Sequence, residues 1–406
     1  MRDPNESMLS QFRMPALVVA LEVTCLSMTG CEQAEGLLDD AKKQLADDPP
    51  PTTVAPATPT ADVVVPPAIV VPAGPTPEQI VTQFKAMRPD QITDGGLSQL
   101  ASSPEAAAEI TEINMRGAQV SGAGLAALQG LPNLESLSAG GPHITADALA
   151  TIGKARSLKS IDLSNSPADD RVVSELSQIP HLQTLNLQGT QVTGGSATAL
   201  GAMHELVDLS LFGTAADDQT VQGLASLPLR RLDVSRTRIT DASLPVILKI
   251  QTLESLNVSF CQVTGAGFKG YNKAGLKYLA VGETPFGTDG FMAIKGMKSL
   301  EELNVYSAGL VEHKSANVFR TFPNLKILNA SKNRVTDAGM TVFFKGHKTL
   351  EELHLQHNKG ITDNGLHALI AVKTLKLLDV ASTGCGAAGA NALKEYLPEC
   401  TIKTSN

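Results

Sequence analysis

The sequence has no tryptophan, four tyrosines, and aromatic residues at only 4% of its 406 positions. An extended core must therefore come from its abundant leucines. Charged residues make up 18% with a formal net charge of −8, and no stretch gathers Lys and Arg into a basic cluster. A nucleic-acid backbone needs such cations in numbers, so nucleic acid is excluded as a partner, and an acidic surface suits solubility and protein or glycan partners. Long hydrophobic runs are missing too: Val63-Val64-Val65 and Ile69-Val70-Val71 are short and broken by proline, too little to span a bilayer. No Ser-His-Asp or Cys-His arrangement can be placed together from the sequence, and pairs such as Glu301-Glu302 and Glu351-Glu352 read as surface charges. No enzyme and no cofactor is expected.

What is present is a phrase that returns every 23 to 25 residues from Ile110 onward, L-x-x-L-x-L followed by [V/I]-T-[D/G]-x-G-L-x-x-L. Its first position falls at Ile110, Leu134, Leu158, Leu182, Leu206, Leu229, Leu253, Leu276, Leu300, Leu325, Leu350 and Leu375, which defines repeats 1 to 12. Positions one, four and six of a unit (Leu182, Leu185, Leu187) are apolar between mostly polar neighbours, the alternation of a short strand with one buried face. Apolar residues then recur with helical spacing, as in Leu244, Ile247 and Ile250. A Thr, Ser or Asp precedes them (Ser121, Thr145, Asp169, Thr193, Asp217, Thr240, Thr264, Thr336, Thr362) and can cap the free N–H groups of a starting helix. Each return segment is therefore expected to be a capped helix.

The ninth position is mostly a small hydrogen-bonding residue, including Thr190, Thr214, Cys261, Asn333 and Asn358. Together with Ile239-Thr240-Asp241, Val335-Thr336-Asp337 and Ile361-Thr362-Asp363-Asn364-Gly365-Leu366, this pattern resembles the cysteine-containing type of leucine-rich repeat, found in ribonuclease-inhibitor-like folds, F-box repeat proteins and bacterial secreted proteins. The resemblance covers roughly residues 110 to 402, about 70% of the chain, but only Cys261 keeps the ninth-position cysteine and no F-box is recognisable. It implies an α/β leucine-rich repeat solenoid of about twelve units, right-handed, with parallel strands on the concave face and helices on the convex face. Such a fold is expected to bind a protein partner.

Upstream, residues 77–109 repeat the helix half of a unit and are expected to cap the open end of the solenoid, which occupies 110–406. Residues 31–76 contain a Pro/Ala/Val/Thr-rich stretch that cannot pack a core and reads as an extended linker. In residues 1–30, Arg13 precedes an apolar stretch from Met14 to Met28, too short to span a bilayer, so they read as a secretory signal; it ends in Met28-Thr29-Gly30-Cys31, which resembles a bacterial lipobox. Carried over, the resemblance makes Cys31 the lipidated residue and places a monomer in the cell envelope, membrane-held through its N-terminal lipid. The alternative is a substrate-recognition adaptor like F-box repeat proteins.

Cys385 and Cys400 could clamp the C-terminal end by a disulfide or stand as two small buried hydrophobes. Gly384-Cys385-Gly386-Ala387-Ala388-Gly389 matches G-x-G-x-x-G, yet lies in the last unit without a following strand, so its glycines fit a tight turn. His354 and His357 with Glu352 lack a third ligand, and no metal site is expected. The outward third, fifth, seventh and eighth positions are what a partner would meet. Small polar residues at the fifth (Asn114, Ser138, Asp162, Asn186) suggest simple solvation, whereas Tyr278, Glu302, Tyr306, His354 and His357 form the candidate surface, with Phe212, Arg231, Arg236 and Phe260 as a second group.

Overall fold

The computed structural model describes residues 74–271, 275–310 and 317–405; Cys31 and residues 31–73 of the linker lie outside the described residues. The described chain falls within one compact unit, Pro72–Asn406. Its centre is a single 13-stranded parallel sheet in strict sequence order, from Glu112–Asn114 to Thr401–Lys403. Each strand pairs in register with the next, so Leu185 stands beside Ile161 and Leu209, and the fourth positions form one buried column. The architecture is the leucine-rich repeat solenoid. Its thirteenth strand follows repeat 12 and escapes the sequence pattern because only Ile402 of the apolar columns is present.

The T-D-x-G words have a purpose beyond starting helices. The aspartate of one repeat reaches across to the next: Asp337 accepts from the backbone N–H of Thr362 at 2.7 Å and from its hydroxyl at 2.6 Å. Asp94 does the same for Ser121, Asp170 for Thr193, Asp218 for Thr240 and Asp241 for Thr264. The glycine two places after the aspartate makes room for the carboxylate of the repeat before. A Cβ on Gly365 would overlap Asp337, and one on Gly389 would overlap Asp363. The G-x-G-x-x-G word is accounted for in this way, with the Gly386 N–H donating to Asp363 at 2.8 Å.

Ser121, Thr145, Asp169, Thr193 and Asp217 cap their segments as expected. The return segments are not all α-helices, however: Ala266–Phe268, Phe319–Thr321 and Gly365–Leu369 are 3₁₀ turns, and in repeat 4 the 3₁₀ turn Gly194–Ser196 leads into the α-helix Ala197–Gly201. A 3₁₀ turn rises about 2.0 Å per residue against about 1.5 Å in an α-helix, so each of its residues carries the chain further along the return. Thr240, Thr264 and Thr362 each accept from the N–H two residues on, and the segments that follow them begin at Leu244, Ala266 and Gly365.

At the ninth position, threonine hydroxyls donate to the carbonyl three residues back, as Thr190 does to Leu187 at 2.6 Å. Asn358 does more, accepting from the N–H groups of Asn333 and Val335 while donating to the Ala330 and Leu355 carbonyls, so it ties two turns together. The fifth-position residues also correct the solvation reading. Asp162, Asn186, Asn257 and Asn304 each accept from the N–H two residues on, which closes the turn that follows the strand.

Repeats 7 to 10 hold a buried train of rings on the return side, Phe268, Phe286, Phe291, Phe319, Phe343 and Phe344, mostly edge to face at 5.3 to 6.3 Å between centroids. Cys385 and Cys400 are both free and buried. The disulfide alternative is therefore not realised: the Cys385 thiol faces the Ile361 carbonyl and the Cys400 thiol the Thr401 carbonyl. Helices at Pro77–Ala86, Asp94–Ala101 and Pro104–Ala108 precede the first strand and bury Val81, Phe84, Leu97 and Leu100. Among the described residues no helix is long and apolar enough to cross a membrane.

Candidate interaction surface

Where each strand ends, the backbone turns through a left-handed residue at position eight. It does so in all twelve repeats, with φ from 52° at Glu283 and Ser307 to 109° at Gly141. The turn keeps the sheet's ladder going for one more bond: the Phe260 N–H donates to the Gly282 carbonyl at 2.8 Å and the Lys332 N–H to the Gln356 carbonyl at 2.9 Å. Repeats 1, 2, 4 and 5 use glycine here and repeat 3 uses Asn165, the residues that tolerate this conformation. Repeats 6 to 12 do not. They place Arg236, Phe260, Glu283, Ser307, Lys332, His357 and Ser382 at positive φ, at a cost of about 1 kcal/mol or more each.

These side chains form a rim along the C-terminal ends of the strands. The Arg236 guanidinium lies 4.8 Å above the Phe260 ring, and Phe260 remains 46% exposed. The Lys332 ammonium sits 5.4 Å above the Tyr306 ring and 2.9 Å from a Glu283 carboxylate oxygen, which raises its pKa above the usual lysine value. Glu283 and Lys332 are two repeats apart. The short Ser307 between them lets the pair meet over its head.

The structure divides the candidate residues between rim and sheet face. Tyr306 and His357 belong to the rim, half-buried and exposed respectively. Tyr278 and Glu302 are register partners on the open face of the sheet. Burial pushes the Tyr278 hydroxyl far up, with Glu302 and Asp233 adding to the effect. His354 lies on the same face with Nε2 3.8 Å from Glu352. Among the described residues no three His, Cys, Asp or Glu side chains gather as metal ligands.

Phe212 is half-buried at the seventh position of repeat 5, and Arg231 is committed to an ion pair with Asp208. Burial pushes the Asp208 carboxyl up in spite of Arg231, and its second oxygen and the buried Ser210 hydroxyl have no hydrogen-bond partner among the described residues. Burial likewise raises Asp233, against bonds from Ser235 and Asn257. Glu283 and Lys332 were not among the sequence candidates. Glycine or asparagine at position eight of the first five repeats was the signal that this position is special.

Comparison with known proteins agrees with the fold. The family model described as Leucine Rich repeat matches residues 178–201, 249–269 and 346–369. Among solved structures the chain is similar to the yeast complex of Rad7 and Elc1, at 16% identity over 80% of this chain and 87% of that one, with a TM-score of 0.51. It also matches an internalin of Listeria monocytogenes at 16% identity, over 80% of this chain and 93% of that one with a TM-score of 0.45. A leucine-rich repeat protein of Leptospira interrogans is matched at 18% identity, over 75% and 98% of the two chains with a TM-score of 0.36. At such identities the likeness extends to the fold alone.

Proposed function

We propose that the protein is a non-catalytic protein-binding module whose partner seats on the rim of repeats 6 to 11, and that the module is presented outside the cytoplasm on a lipid anchor at Cys31. One observation carries the binding reading: Phe260 holds a large apolar ring 46% exposed, in a backbone conformation that favours glycine. The fold gains nothing from a bare ring there beyond its contact with Arg236. A partner that covers the ring does, because aromatic and arginine side chains at a desolvated centre dominate binding energies.

Phe260→Gly separates the two roles. Relief of the left-handed strain offsets loss of a cation–π contact of about 0.5–1 kcal/mol, so the fold keeps its stability within about 1 kcal/mol. Affinity for a captured partner falls by about 2 kcal/mol. A variant that binds unchanged refutes the reading.

The anchoring part of the proposal is supported by the order of apolar stretch, Met28-Thr29-Gly30-Cys31 and proline-rich stalk, with 1–30 as leader, 31–76 as tether, 77–109 as cap and 110–406 as repeat domain. Labelled palmitate should enter the wild type and not Cys31→Ala; equal labelling removes the anchor. The adaptor alternative has only the fold in its favour.

A further inference from the structure

Positions eight to ten divide the rim in two. Repeats 1 to 5 place no Lys, Arg, Asp or Glu there, whereas repeats 6 to 11 place Arg236, Arg238, Lys332, Arg334 and Lys359 against the lone carboxylate of Glu283. All five cations are exposed. Lys332 is shared between Glu283 and the Tyr306 ring, and Arg236 rests on Phe260. Arg238, Arg334 and Lys359 form no ion pair with the described residues. The next carboxylates downstream of these cations, Asp241, Asp337 and Asp363, accept hydrogen bonds from Thr264, Thr362 and Gly386 of the following repeat. A cationic strip thus stands out from a chain whose formal net charge is −8.

The geometry points to an acidic polypeptide segment as the occupant of this strip, an inference that rests on the protein-binding reading above. Repeats 6 and 11 are five strand spacings apart, about 24 Å at ~4.8 Å each, which about seven extended residues cover. Carboxylates at the segment's two ends meet Arg236 and Arg238 on one side and Lys332, Arg334 and Lys359 on the other. Apolar side chains between them meet Phe260 and Tyr306. A phosphate polymer fits less well: it carries charge every ~1.7 Å of duplex, so it needs more than five cations and is repelled by the acidic remainder of the chain.

The test uses the full chain at low salt with a fluorescent, about ten-residue peptide of Asp, Glu, Leu and Tyr. Its lysine counterpart, phosphatidylglycerol vesicles and a single-stranded oligonucleotide are run in parallel. The acidic peptide is expected to bind, more weakly as salt rises, and Arg236→Glu/Arg334→Glu to weaken it by about tenfold or more with an unchanged melting curve. Lys249→Glu, exposed on the return side, should change it less than about twofold. Acidic and lysine peptides binding alike, both variants losing equally, or preference for vesicles or oligonucleotide would overturn the assignment. The two levels are separable with a captured partner. Loss on Phe260→Gly but not on charge reversal leaves the binding module standing and removes its acidic partner, whereas indifference to both removes both.

Discussion

Replacing Gly365 by alanine isolates the contact that ties one repeat to the next. The added Cβ would stand inside van der Waals distance of Asp337 Oδ1 and only 3.2 Å from Met340 Cγ. That oxygen is not free to swing away, because Asp337 holds the Thr362 N–H at 2.7 Å and its hydroxyl at 2.6 Å. Relief of the clash therefore breaks both bonds. Hydrogen bonds to a charged group contribute about 1.5–3 kcal/mol each when buried, and this pair is partly exposed, so Gly365→Ala should cost about 2–4 kcal/mol. In the background of Asp337→Ala the carboxylate is gone and only the flexible Met340 side chain, at 3.2 Å, has to give by a few tenths of an ångström, against a helical preference for alanine over glycine of about 0.5–1 kcal/mol. The same substitution is thus destabilising in one background and neutral or stabilising in the other. A double-mutant cycle by urea denaturation reads the sign directly. Equal costs of Gly365→Ala in both backgrounds would refute the relay as the reason for the motif.

Two further outcomes follow from the interior. Leu185→Ala, at a fully buried fourth position, should cost about 2–5 kcal/mol, and Asn186→Ala, which loses one bond to the Gln188 N–H, about 1 kcal/mol; similar losses for both would mean the strand faces are misassigned. His347 is buried with Nε2 3.2 Å from the Phe319 carbonyl, and burial, helped by Arg320, holds its pKa below the usual 6.5. The unfolded chain therefore takes up this proton first, so the stability His347 contributes is complete above about pH 6.5 and is lost as pH falls toward the folded-state value. His347→Gln should flatten the fall in denaturation midpoint between about pH 7.5 and 5.5, and an unchanged slope would contradict the assignment.

The apolar columns made the solenoid legible, because a strand with one buried face and a helix with one buried stripe leave periodic marks. The reach of Asp337 to Thr362 left none that reads as a contact, since its span of 25 residues is the repeat length itself and every cap looks local. The 3₁₀ turns were hidden for a related reason: a Thr before an apolar run suits an α-helix and a 3₁₀ turn alike. On the surface, Tyr306 and Phe260 were visible as exposed aromatics, but their companions were not. Glu283 meets Lys332 across 49 residues only because Ser307 is short, and the cations of the strip are scattered over more than 120 residues of sequence, so no linear cluster announces them.

The central claim is that the rim of repeats 6 to 11 is where a protein partner sits, and a photo-cross-linking residue placed there tests it most directly. The group is introduced at Phe260 and, in a matched protein, at Lys295 on the return segment Ile294–Gly296. Both are illuminated in intact cells at equal expression. A discrete adduct from position 260 that is absent from position 295 is the predicted result. Adducts from position 295 with none from position 260 would move the function to the other side of the solenoid and contradict the account.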